Sequence, residues 1–125
     1  MSEKLLAAID QHQALEFLAA MVRFKSYSGT PGEGELARFM ADNMTALGLE
    51  VRLTEVTEGR LNAVGRWPGA GGGPSLLFNG HLDTNPATDD WTIDPWGGKY
   101  DDEFIYGIGV SNMKAGDAAY FSALK

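Results

Sequence analysis

The sequence contains no cysteine, and this absence limits the sites that the chain can form. Without cysteine there is no disulfide framework and no thiolate ligand for zinc. Any metal site must therefore use histidine, aspartate, glutamate or asparagine side chains. Imidazole ligands are scarce as well, because His12 and His81 are the only two histidines.

Positive charge and long apolar runs are also scarce. Ten lysines and arginines stand against 17 aspartates and glutamates, the formal net charge is -7, and the basic residues form no cluster. We therefore expect neither nucleic acid nor an anionic membrane as a partner. No apolar run approaches the roughly 20 residues of a membrane span. Polar residues at 10–13 interrupt the apolar stretch that a signal peptide would need, so we expect a cytoplasmic location.

The apolar residues that are present follow helical and strand periods in turn. A chain of 125 residues, 44% of them apolar, can bury one modest core, so one domain is expected. Helical spacing predicts helices over 15–24 and 36–47, and the start of a third over 113–124. Gly48 stands where a left-handed residue commonly ends a helix.

Several short segments have the patterns of strands. Alternating apolar residues predict strands at 49–53 and 61–67, and residues 99–106 resemble a hairpin. Residues 75–78 are apolar without alternation, which is typical of a central strand covered on both faces. The Gly- and Pro-rich stretch 68–74 is expected to be a loop between strands, because neither flank is long enough for a domain of its own. The prediction is an α/β fold: a layered α/β/α domain with a mixed sheet and flanking helices.

His81 and Asp83 directly follow the expected central strand. Ligands collect at the carboxyl ends of strands in α/β domains, and residues i and i+2 of an extended segment point to the same side. A metal-binding histidine needs its other ring N–H held, commonly by a carboxylate. Alone, the pair is better explained as two polar groups that satisfy each other. A second stretch, IYGIGVSNMKAG at 105–116, is glycine-rich and can present a ligand ahead of a helix, although it lacks the Gly-x-Gly-x-x-Gly fingerprint.

Taken together and in order, these stretches resemble the zinc-dependent aminoacylase and carboxypeptidase family. That family includes acetylornithine deacetylase, succinyl-diaminopimelate desuccinylase and glutamate carboxypeptidase. The resemblance runs nearly the whole length of the chain and rests on Gly80-His-Leu-Asp83, Asp94-Pro-Trp96, Tyr106-Gly-Ile-Gly109 and Asn112-Met-Lys114. It implies a zinc-peptidase-like catalytic domain that hydrolyses amide bonds in small N-acyl amino acids or peptides.

The resemblance also implies roles for three residues. His81 falls on a zinc ligand, and Asp83 on the aspartate that orients this histidine and supports catalysis. Asn112 takes the place of an aspartate that bridges two zinc ions, with cobalt as an alternative metal. A neutral amide has one good acceptor and no charge, so Asn112 is a poorer bridge than a carboxylate. The family pattern further implies a cis peptide between Asn112 and Met113.

The family's remaining ligands and its general base follow the segment that ends here at Lys125. We therefore expect residues 1–125 to be the N-terminal part of a single catalytic domain, inactive alone and without the dimerisation domain. A homodimer is expected only for a full-length form. Two alternatives stay open. One is a catalytically inactive relative that serves as a binding module, which would explain Asn112; the other is a structural fragment in which His81 and Asp83 are a polar pair.

Overall fold

The computed structural model describes residues 3–125, in which three helices are followed by four strands and then by a last helix. The helices are α1 Glu3–Ala7, α2 Gln11–Val22, α3 Pro31–Ala46 and α4 Ala115–Leu124. The strands are β1 Glu50–Thr57, β2 Arg60–Arg66, β3 Lys99–Tyr100 and β4 Ile105–Tyr106, and a π-helical turn, Val110–Lys114, leads into α4. None of the helices in the described part is both long and apolar enough to cross a membrane. Met1 and Ser2 of the expected domain 1–125 lie outside the described residues.

The two long helices form where the sequence predicts them, but α2 begins at Gln11 rather than at residue 15 and α3 at Pro31 rather than at residue 36. The Asp10 carboxylate accepts a hydrogen bond from the backbone N–H of Gln13 at 3.0 Å and so caps the start of α2. Pro31 stands at the start of α3, where its missing N–H has no helical partner to lose. Gly48 has φ +84°, and its N–H donates to the carbonyl of Thr45 just past the end of α3. The helices expected at 15–24 and 36–47 are thereby confirmed as α2 and α3.

A helix-on-hairpin layer forms the main core. β1 and β2 pair antiparallel, with Glu50 opposite Arg66 and Leu53 opposite Ala63, and α3 packs against them. The buried core residues come from α2, from α3, from the position just before β1 and from α4. They are Met21, Leu36, Met40, Met44, Leu49 and Phe121. Burial of such apolar side chains is the main force that holds the layer together.

The second hairpin, β3–β4, lies against α2. Lys99 pairs with Tyr106 and Tyr100 with Ile105, as the sequence predicts. The approach depends on Gly98, which has φ +59°. A Cβ at this position would lie 2.5 Å from the backbone oxygen of Ala19 in α2, so only glycine allows this packing.

The prediction of a central strand at 75–78 is wrong. The segment has no regular secondary structure, and Leu76 and Leu77 are 80% and 81% exposed. A strand is held by backbone hydrogen bonds to a neighbour, and among the described residues β1 and β2 pair only with each other. The nearest backbone pairing is an isolated parallel bridge between Tyr27 and Thr84. The α/β class is confirmed, with two antiparallel pairs and this parallel bridge as its sheet contacts.

Candidate active site

His81 and Asp83 contact each other within an extended segment that has no strand partner. His81 Nδ1 lies 3.1 Å from Asp83 Oδ1 and 3.2 Å from the backbone oxygen of Asp83. Both oxygens are acceptors, so this environment favours the tautomer with the proton on Nδ1 and leaves Nε2 free to accept. The two side chains therefore converge, as their i, i+2 spacing predicts.

The residue after this pair is anchored to the segment that follows α2. The N–H of Thr84 donates to the carbonyl of Ser26 at 2.8 Å, and the N–H of Ser28 donates to the carbonyl of Thr84 at 3.2 Å. Thr84 and Ser26 are both buried. These bonds fix the backbone immediately after Asp83, so the His81–Asp83 pair sits at a constrained position even though its own segment is not a strand.

Asn112 lies in the π-helical turn ahead of α4 and is exposed. The backbone N–H groups of Asn112 and Lys114 both donate to the carbonyl of Gly109, at 3.3 and 3.1 Å. The expected cis peptide between Asn112 and Met113 is wrong, because no cis peptide bond occurs within residues 3–125. The turn instead has helix-like backbone hydrogen bonds, which join trans peptides.

Two glycines bring this turn against the His81–Asp83 segment. A Cβ on Gly109 would lie 2.6 Å from Thr84 Cγ2, and a Cβ on Gly80 would lie 3.1 Å from Met113 Cε and overlap Asp117 Oδ1. The His81–Asp83 segment and the turn Val110–Lys114, the two motif segments, are therefore neighbours. Asn112 is exposed and does not line the cleft beside His81 and Asp83, so the structure brings the two segments together without bringing this third residue into the cleft.

A cleft of about 450 Å³ runs between β2, the segment 78–83 and α4. One wall is aromatic, since Phe78 stacks on Tyr120 with ring centroids 4.8 Å apart. The polar residues that line the cleft are Glu33, Arg60, Asn62, Asn79, His81, Asp83 and Asp117. Such a mixture of an apolar wall with a few converging polar groups is common in small-molecule sites.

Asp117 is a site residue that the sequence reasoning missed. It is 5% exposed, lines the cleft, and its Oδ2 is buried without a hydrogen-bond partner among the described residues. Burial raises the pKa of Asp117 to about 6, against the opposing effects of His81 and Lys114. One signal was available: an acidic residue stands on the apolar face of the expected third helix, directly before Ala118 and four positions before Phe121, both buried.

A salt bridge closes the opposite side of the cleft. Arg60 on β2 donates from Nη2 and Nε to Glu33 Oε1 on α3, at 3.0 and 3.2 Å. The hydrogen bond and the charge of Glu33 raise the pKa of Arg60, and Asp83 acts in the same direction. The guanidinium therefore stays charged within electrostatic reach of Asp83 and adds a positive group to a cleft otherwise rich in carboxylates.

The described residues do not fit a complete metal centre. Within residues 3–125, no three histidine, aspartate or glutamate side chains are grouped to hold one ion. A catalytic zinc usually takes three protein ligands. His81, with Nδ1 held by Asp83 and Nε2 free, has the form of one such ligand supported by a carboxylate.

The α/β layer holds a carboxylate-supported histidine beside a cleft, and the sequence matches a peptidase family model and curated relatives. Residues 77–125 match the model of peptidase family M20/M25/M40. Succinyl-diaminopimelate desuccinylase 2 of Ruegeria sp. (strain TM1040) is 33% identical over 124 residues, which cover 96% of this chain and 31% of that protein. Aminoacylase-1 of Sus scrofa is 30% identical over 118 residues, 92% of this chain and 29% of that protein.

Comparison of the fold with solved structures agrees with the sequence matches. The crystal structure of human carnosine dipeptidase 1 matches with a TM-score of 0.79 and 25% identity, over 97% of this chain and 30% of that chain. Residues 77–125 thus match the M20/M25/M40 peptidase family, and both the family resemblance and the α/β fold expected from the sequence are confirmed. It spans about a third of the length of these relatives.

Proposed function

We propose that the protein represented by this chain is a metal-dependent hydrolase of amide bonds in N-acyl amino acids or small peptides. The contact between His81 Nδ1 and Asp83 Oδ1 at 3.1 Å is the observation that carries the proposal. Membership of the peptidase family and the similarity to a desuccinylase and an aminoacylase support it. In this proposal residues 1–125 are the N-terminal part of a single catalytic domain.

The proposed roles follow from what each side chain can donate or accept. His81 binds a metal ion through Nε2, with zinc as the ion and cobalt as an alternative. Asp83 accepts from the Nδ1–H, fixes the tautomer and orientation of the ring, and so supports catalysis. Asn112 offers a neutral amide oxygen where the family has a bridging carboxylate, and it would hold a second ion more weakly.

The same proposal defines the partners. The substrate is a small N-acyl amino acid or peptide, as the aromatic and carboxylate lining of the cleft suits a ligand of that size. The net charge of -7 argues against nucleic acid, and we propose no membrane partner. A homodimer is proposed only for a longer form of the protein, and a cytoplasmic location is part of the same proposal.

A chimera tests the proposal because this chain spans about a third of its relatives. Residues 1–125 replace the matching segment of the Ruegeria sp. desuccinylase, and hydrolysis of N-succinyl-diaminopimelate is assayed with Zn²⁺ or Co²⁺. We expect hydrolysis that His81→Ala abolishes. His12→Ala is the matched control, because His12 is exposed on α2 and its nearest charged neighbour is Glu16.

Three further outcomes test the activity of the chain alone, the role of Asn112 and the proposed hydrolysis itself. The 125-residue chain alone should hydrolyse nothing, with or without Asn112→Asp. In the chimera, Asn112→Asp should tighten the binding of the second metal ion, because it restores an anionic bridge. A folded chimera that binds metal and hydrolyses no N-acyl amino acid or dipeptide would contradict the proposed function.

A further inference from the structure

Lys114 is a lysine with almost no exposed surface. It is 1% exposed, and it is the largest fully buried side chain among the described residues. Its Nζ donates to the carbonyls of Met21 at 3.0 Å and Phe24 at 3.3 Å. Met21 lies in the last turn of α2 and Phe24 two residues beyond the helix, at the negative end of the helix dipole; each carbonyl also accepts from a backbone N–H, that of Phe24 or Ser26. A buried ammonium is therefore well matched to this position.

The same backbone segment also anchors the His81–Asp83 pair. Ser26 and Ser28 form the hydrogen bonds that fix Thr84, immediately after Asp83. Residues 21–28 therefore hold both motif segments: one through the ammonium of Lys114, the other through a short parallel pairing. A displacement of either attachment would change the distance between the two motif segments.

The side chain of Lys114 also passes through the point where the two segments meet. A Cβ on Gly109 would lie 3.2 Å from Lys114 Cδ and 2.6 Å from Thr84 Cγ2. The lysine stem thus fills the space beside Gly109, while its charged end reaches the end of α2. Asn112 lies two residues before Lys114, within the turn that this side chain holds.

We propose that Lys114 is a positioning residue whose ammonium holds the Asn112 turn in register with the His81–Asp83 segment. The proposal deepens the proposed function, since it takes these two segments as the site. This positioning role differs in one respect from a role in which Lys114 only fills space. An apolar side chain of the same length would fill the space, but it would remove the charged donor and leave the carbonyls of Met21 and Phe24 with only their backbone donors, the N–H groups of Phe24 and Ser26.

The absence of cysteine permits a direct test of the charge. Lys114→Cys introduces a single thiol, which is alkylated in the unfolded chain before refolding. Reaction of the thiolate with 2-bromoethylamine forms a C–S bond, releases bromide and restores an ammonium at lysine length. Reaction with 1-bromopropane gives a neutral side chain of the same length. Lys99→Cys, treated in the same two ways, is the matched control because Lys99 is exposed on β3.

Amide hydrogen exchange at Asn112 and Thr84, and the NMR signals of the His81 ring, report the register of the two segments. With the aminoethyl side chain at 114, we expect both the protection and the ring signals of the unmodified chain. With the propyl side chain, we expect protection at Asn112 and Thr84 to be lost while amides in α3 stay protected. Equal protection and equal ring signals in the two alkylated forms would overturn the proposal.

A measurement on the unmodified chain covers the case in which the alkylated chains do not refold. A scalar coupling across the hydrogen bond between Lys114 Nζ and the carbonyl carbon of Met21 supports the proposal, and its absence overturns it. Neither experiment measures hydrolysis. Failure of the chimera to hydrolyse amides would contradict the proposed function alone, and a neutral side chain that suffices at 114 would contradict the positioning role alone.

Discussion

At the level of single residues, Asp117 couples the stability of the fold to pH. Its pKa is about 6 when folded against 3.8 for the free group, so the folded chain binds more protons than the unfolded chain between these values. The contribution of this group is therefore most favourable below about pH 4 and declines as the pH rises to about 6, by up to about 3 kcal/mol.

Denaturant unfolding between pH 4 and 7 measures this effect. Asp117→Asn removes the titrating group, so the decline should be smaller in the variant than in the parent chain. Asp42→Asn, on the exposed face of α3, should keep the full decline. An Asp117→Asn variant whose stability changes with pH as the parent's does would show that another group is responsible.

Asp83→Asn should weaken metal binding by the chimera. The amide cannot accept from the Nδ1–H of His81 as strongly as the carboxylate does, and loss of such a supporting group typically costs about 10–100-fold in affinity. Competition with a chelator measures the dissociation constant. Asp89→Asn, at an exposed position of the same loop, should leave it unchanged. An unchanged constant in Asp83→Asn would remove the supporting role of this carboxylate.

The sequence predicts the site residues only as far as local geometry determines their positions. The i, i+2 spacing was sufficient to predict the contact of His81 with Asp83. It was not sufficient for Asp117, because an acidic residue near the start of a helix is most often on the solvent side, and its burial depends on packing under Gly80. The position of Asn112 outside the cleft lining likewise depends on how two segments that are distant in the sequence pack.

At the level of elements, Gly98 determines how closely the β3–β4 hairpin approaches α2. Gly98→Ala places a Cβ against the Ala19 backbone at a left-handed φ, so we expect a loss of more than about 1 kcal/mol in the free energy of unfolding. Gly69→Ala is the control, since nothing lies within 4 Å of its Cβ. Denaturant unfolding compares the two, and an equal effect would show that the hairpin can move away without cost.

The elements that the sequence predicts correctly are those held by local bonds. α2, α3, the strands β1 and β2 and the β3–β4 hairpin follow from periodicity and turn residues within a few positions. Residues 75–78 have the composition of a buried strand, but a strand also requires a neighbour, and pairing partners are not a local property of the sequence. The π-helical turn was not predicted, because its form depends on the packing of Gly109 and Lys114.

At the level of the whole molecule, an apolar patch stays exposed. Leu76 and Leu77 are over three-quarters exposed, and Val64 and Trp67 are exposed nearby. We expect the chain to self-associate through this patch, because exposed apolar segments next to unpaired strand edges favour association. Sedimentation velocity should show weaker association for Leu76→Ser with Leu77→Ser, at unchanged stability.

The matched control for this prediction is Leu36→Ser, at a fully buried core position. It should destabilise the fold, since it removes apolar contacts and buries a hydroxyl. A parent chain that sediments as a single monomer at all concentrations would contradict the prediction.

The anchoring of both motif segments to residues 21–28 has a consequence for the order of folding. The Thr84–Ser26 and Lys114–Met21 contacts join residues 58 and 93 positions apart, whereas the helices and hairpins close within a few residues. Closing a loop costs entropy that grows with its length, so contacts of this range tend to form after the local ones. We therefore expect the helices and hairpins to assemble first, and the geometry around His81 to be completed only when α4 docks.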